Sequence, residues 1–268
     1  MASRFAAITD VHGNLPALEA VLDDIRRRNV DVVVNLGDHV SGPLWPRETA
    51  ASLMRQRWTQ ISGNCDRQVV RRPPSELGAS DRFAYEQLTA EQRTWLAVLP
   101  DRASPFEDVL LFHGAPDDDD AYLLESVDAH GVRLASYHEI EGRLKGISAP
   151  LMLCGHTHHP RCVRVNDALV VNPGSVGLPA YEHDEPSAHV IECGSPHARY
   201  AVLERAVRGW IVDLIAVPYD HHAAAARAER NGRPDWVVAL RTGFMTPPAR
   251  FARTSANPGN PGNSQQRA

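Results

Sequence analysis

Short apolar runs recur through the first 160 or so residues, and they end in a restricted set of polar residues. Phe5 to Ile8 has the pattern of a buried strand and closes on Thr9-Asp10. Gly13-Asn14 turns the chain, after which Leu15, Leu18, Val21, Leu22 and Ile25 fall on one face of a helix predicted over Leu15–Arg28. Val32 to Leu36 is a second buried strand, closing on Gly37-Asp38. A helix follows over Pro46–Arg57, its proline suited to a first turn. Trp58 to Ile61 is a third strand and ends at Ser62-Gly63-Asn64-Cys65-Asp66. Arg67 to Leu99 reads as mostly helical with a break at Pro73-Pro74, and Thr89 with Gln92 forms a capping box. Val109 to Phe112 is a strand ending at His113-Gly114. Ala115 to Glu125 is acidic and looplike, and a helix is predicted over Val132–Leu144. Leu151 to Cys154 is a strand ending at Gly155-His156-Thr157-His158.

Strand and turn patterns then take over. Residues 162–165, 168–172, 188–193 and 198–203 are candidate strands, punctuated by Asn172-Pro173-Gly174-Ser175. His221-His222 ahead of a run of alanines marks a helix start. Trp210, Trp236 and Val237 to Leu240 predict that residues 206–245 pack on the core as helix or strand, cover a cleft, or meet a second copy. Thr246-Pro247-Pro248 leads into a stretch rich in Asn, Pro, Gly, Ser and Gln, a composition that predicts disorder. The expectation is one domain over residues 1–245 and a disordered tail over 246–268.

Ligands of an open α/β sheet bind beyond the carboxyl ends of its strands. Five strand ends here offer Asp10, His12, Asp38, Asn64, His113, His156 and His158. Taken singly, Gly37-Asp38 and Gly63-Asn64 are turn signals, and a lone histidine is a solvated surface residue. The ordered series is harder to attribute to chance. In Gly155-His156-Thr157-His158 the two histidines share a side if the segment is extended. Mixed oxygen and nitrogen donors favour Mn, Fe, Co, Ni or Zn over calcium. Seven donors exceed one tetrahedral zinc and suit two ions sharing a carboxylate, about 3.5–4 Å apart.

Composition narrows this further. The 268 residues carry a net charge of -5, without the basic excess that bulk nucleic-acid binding needs. A nucleotide substrate stays open, because a bound dication supplies positive charge locally. The four cysteines show no CxxC pair, which argues against a closed structural zinc site. The start has too short an apolar run for a leader, and no stretch approaches the ~20 apolar residues of a membrane helix. A reducing cytoplasm with free thiols is the expected setting.

Asp10-Val11-His12-Gly13-Asn14, Gly37-Asp38, Gly63-Asn64-Cys65-Asp66, His113-Gly114 and Gly155-His156-Thr157-His158 resemble, in order, the motifs of the calcineurin-like metallophosphoesterases. Asn172-Pro173-Gly174-Ser175-Val176-Gly177 is similar to a segment of the small bacterial and archaeal phosphodiesterase branch. The resemblance spans about residues 4–205. It implies a four-layer αββα sandwich with metals at the sheet edge. It implies one ion on Asp10, His12, Asp38 and His158, and another on Asp38, Asn64, His113 and His156, with Asp38 bridging. The implied reaction is hydrolysis of a small or nucleotide-like phosphate ester by a hydroxide held between the ions, with Asn64 also orienting the phosphate. Many relatives carry histidine where this chain has Cys65. A thiol is poorly matched to an imidazolium as proton donor, so esters with good leaving groups are expected, and a packing role is the alternative for Cys65. The branch shares the Gly-Asn-Cys-Asp string. Arg67 is a candidate phosphate clamp or a surface charge. The alternatives are a protein phosphatase, a dinucleoside polyphosphate hydrolase, or a binding module of the same fold; the intact ligand set argues against the last.

Overall fold

The computed structural model describes residues 4–246, so most of the tail expected to be disordered lies outside the described residues. The elements run β1 (Arg4–Ile8), α1 (Leu15–Arg27), β2 (Val33–Asn35), α2 (Pro46–Met54), β3 (Thr59–Gln60), α3 (Asn64–Arg71), α4 (Ala79–Gln87) and α5 (Ala90–Ala97). They continue with β4 (Arg102–Phe106), β5 (Val109–Phe112), β6 (Glu125–Asp128), β7 (Gly131–Leu134), α6 (Tyr137–Leu144), β8 (Leu151–Leu153), β9 (Arg161–Val165) and β10 (Ala168–Asn172). The last are β11 (Ala180–His183), β12 (His189–Glu192), β13 (Ala198–Ala206), β14 (Gly209–Val217), α7 (His221–Arg230) and α8 (Pro234–Thr242).

Two five-stranded sheets, ordered β14-β13-β1-β2-β3 and β4-β5-β8-β10-β9, stack face to face. Alternation along β1 shows why. Phe5 and Ala7 point between the sheets, meeting Leu111, Leu151 and Leu153 of the second sheet. Ala6 and Ile8 point outward under Leu18, Val21 and Ile25 of α1. The outer face of the second sheet, through Met152 and Val170, is covered by Ile140 and Leu144 of α6. Helix, sheet, sheet and helix make the four-layer αββα sandwich. Each fully buried Leu, Ile or Phe contributes about 1.5–3 kcal/mol of this. The parallel strands β1, β2 and β3 of one sheet and β5 and β8 of the other bring their carboxyl ends to one edge.

The helix predicted over Val132–Leu144 is corrected. Gly131 to Leu134 pairs as β7 with β6, and α6 starts only at Tyr137. Ser136 caps it, with Glu139 closing a capping box. That box outranks the apolar spacing that made Val132 look helical. Strands β4, β11 and β14, unassigned in the sequence, complete sheet edges and a hairpin. The C-terminal stretch supplies both strand and helix: β14 extends the first sheet, while α7 and α8 pack Ala225, Trp236 and Leu240 against Leu44 and Leu178. Among the described residues no helix is long and apolar enough to cross a membrane.

Thr89 caps α5 as expected, its hydroxyl accepting from Gln92 N–H while the Gln92 side chain returns to Thr89 N–H. Thr89→Ala should cost about 1 kcal/mol, read as a lower urea midpoint. An unchanged midpoint would mean that packing alone sets the start of α5.

Candidate metal centre

Asp10, Asp38, Asn64, His113, His156 and His158 each follow one of the five converging strands, and His12 sits two residues beyond Asp10. The backbone at five of them is left-handed: Asp10 (φ 54), His12 (φ 49), Asp38 (φ 54), His156 (φ 66) and His158 (φ 57). Such conformations cost of order 1–3 kcal/mol for an ordinary residue and persist only where the surroundings enforce them. His156 and His158 therefore reach the site from a tight bend, not from the extended segment the sequence suggested. Two glycines make room at the carboxylates. A Cβ on Gly63 would lie 2.2 Å from Asp38 Oδ1, and one on Gly155 2.8 Å from Asp10 Oδ2.

The imidazoles are set by backbone carbonyls. His12 Nδ1 meets Ser41 O at 2.8 Å, His113 Nδ1 meets Leu36 O at 2.7 Å, and His158 Nδ1 meets Leu178 O at 2.7 Å. A carbonyl only accepts, so each Nδ1 carries the proton and each Nε2 presents a lone pair. Those three nitrogens converge on the carboxylates. His158 Nε2 lies 3.3 Å and His113 Nε2 3.8 Å from Asp10 Oδ1, while His113 Nε2 lies 3.4 Å and His12 Nε2 3.8 Å from Asp38 Oδ2. Asn64 Oδ1 completes the second group, 3.1 Å from His113 Nε2. His156 is turned the other way. Its Nε2–H donates to the Asp120 carbonyl at 2.9 Å, which leaves the Nδ1 lone pair unengaged, and its ring stands 5.4 Å from that of His113.

The donor set fits divalent cations. Asp10 Oδ1 is buried without a hydrogen-bond partner, a costly arrangement that a cation resolves. His12 Nε2 and His158 Nε2 face each other at 3.1 Å, lone pair to lone pair in the tautomers just assigned. Asp10, His12 and His158 form one candidate ligand group, and Asp10, Asp38 and His113 another. The electrostatics agree. Burial would raise both aspartates, but the histidines outweigh it: His158 and His113 lower Asp10, and His113 and His12 hold Asp38 well below the usual carboxylate range. Burial opposes charge on His113 too, yet Asp38 and Asp10 push its pKa to about 10, so without a cation its Nε2 also holds a proton, which a bound ion would displace to free the lone pair. Burial, then His113, pushes His156 down to about 4.

Asp66 stands in the Gly63-Asn64-Cys65-Asp66 string without a role read from the sequence, yet it organises the centre. Its fully buried carboxylate accepts from Asp38 N (2.8 Å), His39 N (3.0 Å), Gly63 N (3.0 Å) and His39 Nδ1 (2.7 Å). Asn172 likewise ties Gly155 O and Thr157 Oγ1, and Ser175 Oγ donates to Asp10 O. In the sequence all three lie inside the quoted strings, Asp66 in residues 63–66 and Asn172 and Ser175 in residues 172–177, but nothing there shows what they hold.

Cys65 borders the cleft, and its N–H donates to Asp38 Oδ1 at 3.0 Å. Burial and then the Asp38 charge push its thiol well above the ordinary range, so it stays protonated. Arg67 points elsewhere. Its guanidinium forks onto Asp119 at 2.7 and 2.6 Å and reaches Asp120 at 3.0 Å. The acidic loop is thus anchored by Arg67, not simply solvated, and Asp120 in turn fixes His156.

Asp81 also faces the cleft and accepts from Ser41 Oγ at 2.5 Å. Burial, reinforced by Asp38 and Asp66 and only partly offset by that hydrogen bond, pushes its pKa up to about 6. The folded chain therefore holds a proton that the unfolded chain releases near pH 4. Stability falls as pH rises through this window. Metal-free Asp81→Asn should be more stable than wild type by about 3 kcal/mol at pH 8, and the gain should vanish near pH 4. Urea melts at both values check it, and a gain that persists at pH 4 would point to packing.

Fold and centre together define a metal-dependent phosphoesterase class. Residues 4–195 match the model of the calcineurin-like phosphoesterase superfamily domain, and the chain belongs to that family of metallophosphoesterase hydrolases. A metallophosphoesterase from Sphaerobacter thermophilus superposes with a TM-score of 0.70 at 28% identity, over 91% of this chain and 100% of its own. A hypothetical protein from Pyrococcus horikoshii OT3 shares the fold with a TM-score of 0.71 at 21% identity, over 90% and 98%. An uncharacterized protein of Methanocaldococcus jannaschii is 24% identical over 254 residues, 88% of this chain and 96% of its own length.

Proposed function

We propose that this chain hydrolyses small phosphodiesters with two divalent cations drawn from Mn, Fe, Ni, Co and Zn. Asp10, His12, Asp38 and His158 would hold one, and Asp38, Asn64, His113 and His156 the other, with Asp38 shared. The supporting observation is the convergence of three lone-pair nitrogens, fixed by backbone carbonyls, on two buried carboxylates. Bound there, such ions supply an activated water nucleophile and counter-charge for the phosphoryl oxygens.

The chain's own groups do the rest. Asn64 positions its carboxamide beside the phosphate and keeps Oδ1 for the second ion. The Cys65 N–H holds Asp38 in register, while its protonated thiol gives a leaving alkoxide little help. Esters with good leaving groups are favoured accordingly, since general acid catalysis is typically worth 10²–10⁴-fold. Arg67 serves as the anchor of the loop that fixes His156, one step removed from the phosphate. Among the described cleft residues the only guanidinium, Arg233, is engaged by Asp235. A diester carries one charge less than a monoester dianion and suits a cleft without a free cation.

The test is turnover of bis-p-nitrophenyl phosphate against p-nitrophenyl phosphate by metal-stripped protein with each metal restored. Metal-dependent diester hydrolysis is expected. Turnover of the monoester alone would replace the diester assignment with a phosphatase.

A further inference from the structure

The centre opens into a cleft of about 580 Å³ whose far wall comes from α8, beyond the residues matched by the family model. Trp236 is the main element of that wall. It is 7% exposed, and its ring stands edge-to-face with His12 at a centroid distance of 6.2 Å. A Cβ on Gly42 would come within 2.7 Å of the indole Cη2, so a missing side chain lets Trp236 approach the centre. On other sides the ring of Tyr181 lies 4.8 Å from His158 and that of Tyr122 lies 5.2 Å from His156. Their hydroxyls bond each other at 2.9 Å, and Tyr122 also bonds His189 at 3.0 Å, which fixes both rings. Aromatic rings thus flank the metal ligands within one ring's length, Tyr122 and Tyr181 half-buried and Trp236 largely covered.

Away from the centre the cleft is acidic. Asp81, Glu182, Asp184 and Asp235 line it. Arg233 offers no free charge: Nε and Nη2 hold Asp235, and Nη1 donates to Ser80 Oγ at 2.9 Å. A second or third phosphate would enter carboxylates with no available cation.

We infer that α8 makes this cleft selective for phosphodiesters that bear a single phosphorus and a planar, uncharged substituent of nucleoside type, and that the acidic rim rejects polyphosphates. The inference rests on the phosphoesterase function proposed above. A planar ring stacked on an aromatic side chain gains roughly tenfold or more in binding. Like charges brought together in a shielded cleft are opposed by its field.

The test compares kcat/KM of the metal-restored full chain for three substrates, with chromatography of the products. These are the methyl ester of adenosine monophosphate, glycerophosphoethanolamine and diadenosine tetraphosphate. The adenosine ester should exceed the glycerol ester by about tenfold or more, mainly through KM, and the tetraphosphate should be poorest. Trp236→Leu should shrink the adenosine-to-glycerol ratio to below about threefold. Because Trp236 also packs in the core, a second variant tests the rim separately. Replacing the exposed pair, Glu182→Gln with Asp184→Asn, should raise the tetraphosphate rate relative to the adenosine ester about threefold at low salt, fading at high salt. Equal handling of the adenosine and glycerol esters would overturn the inference, as would a tetraphosphate preference or ratios that neither variant moves. Turnover of bis-p-nitrophenyl phosphate without turnover of any of the three would overturn it and leave the phosphoesterase function standing. Failure on that reagent too would remove both.

Discussion

Asp38→Asn should lower diester kcat/KM by about 10³-fold while leaving the fold intact. Asparagine keeps the size of the side chain and the Oδ1 that accepts the Cys65 N–H at 3.0 Å. It loses the negative charge that His113 Nε2 faces at 3.4 Å and His12 Nε2 at 3.8 Å. Two cations sharing this carboxylate would supply several kcal/mol to the reaction, and each 1.36 kcal/mol is a factor of ten. The same substitution should lower the melting temperature of the metal-free protein, because His113 and His12 hold Asp38 well below the usual carboxylate range and its charge therefore stabilises the fold. Steady-state kinetics and a thermal melt read the two effects. A variant keeping more than about a tenth of the activity would show that the charge of Asp38 is not needed to hold a working pair of ions.

Asp66→Ala should be the most damaging change outside the ligands. It strips the acceptor from three backbone N–H groups and from His39 Nδ1, all buried. An orphaned buried donor costs about 1–3 kcal/mol, so the total is about 4–6 kcal/mol once partial hydration is allowed. That is a large part of a typical domain's 5–15 kcal/mol. Metal affinity should fall 10–100-fold as well, since Asp66 sets the loop carrying Asp38 and Asn64. Urea denaturation of the metal-free variant and a metal titration check both. Wild-type stability would mean that the loop re-forms its hydrogen bonds without the carboxylate.

The sequence carried the architecture of the centre further than its fine geometry. Asp10, Asp38, Asn64, His113 and His158 were legible because each comes after an apolar run, and the runs mark the parallel strands β1, β2, β3, β5 and β8. Buried strands leave a strong signal, and the sheet places the residues at their carboxyl ends. The edges were harder. Trp210 to Ile215 alternates between half-buried and exposed positions along β14, so no clean apolar face marked it. At Val132 two apolar residues mimicked helical spacing although Ser136 and Glu139 held the true helix start.

Contacts between distant residues were not legible at all. The Leu36, Ser41 and Leu178 carbonyls that fix the tautomers are backbone atoms, and backbone acceptors leave no residue signature. The left-handed conformations at Asp10, His12, Asp38, His156 and His158 run against residue preference. Asp66, Asn172 and Ser175, from other segments, tie the backbone at Asp38, Gly155 and Asp10. Arg67 shows the converse: its place beside Asn64 suggested phosphate, but Asp119 and Asp120 reach it first.

The central claim is a pair of ions on a shared carboxylate, and counting them tests it most directly. Chelator-stripped protein would be titrated with Mn²⁺ while bound metal is measured by elemental analysis and diester turnover is recorded in the same samples. Two ions per chain are predicted, with turnover rising as the second binds and Asp38→Asn failing to retain the pair. Full turnover with one ion per chain, or with none, would contradict it.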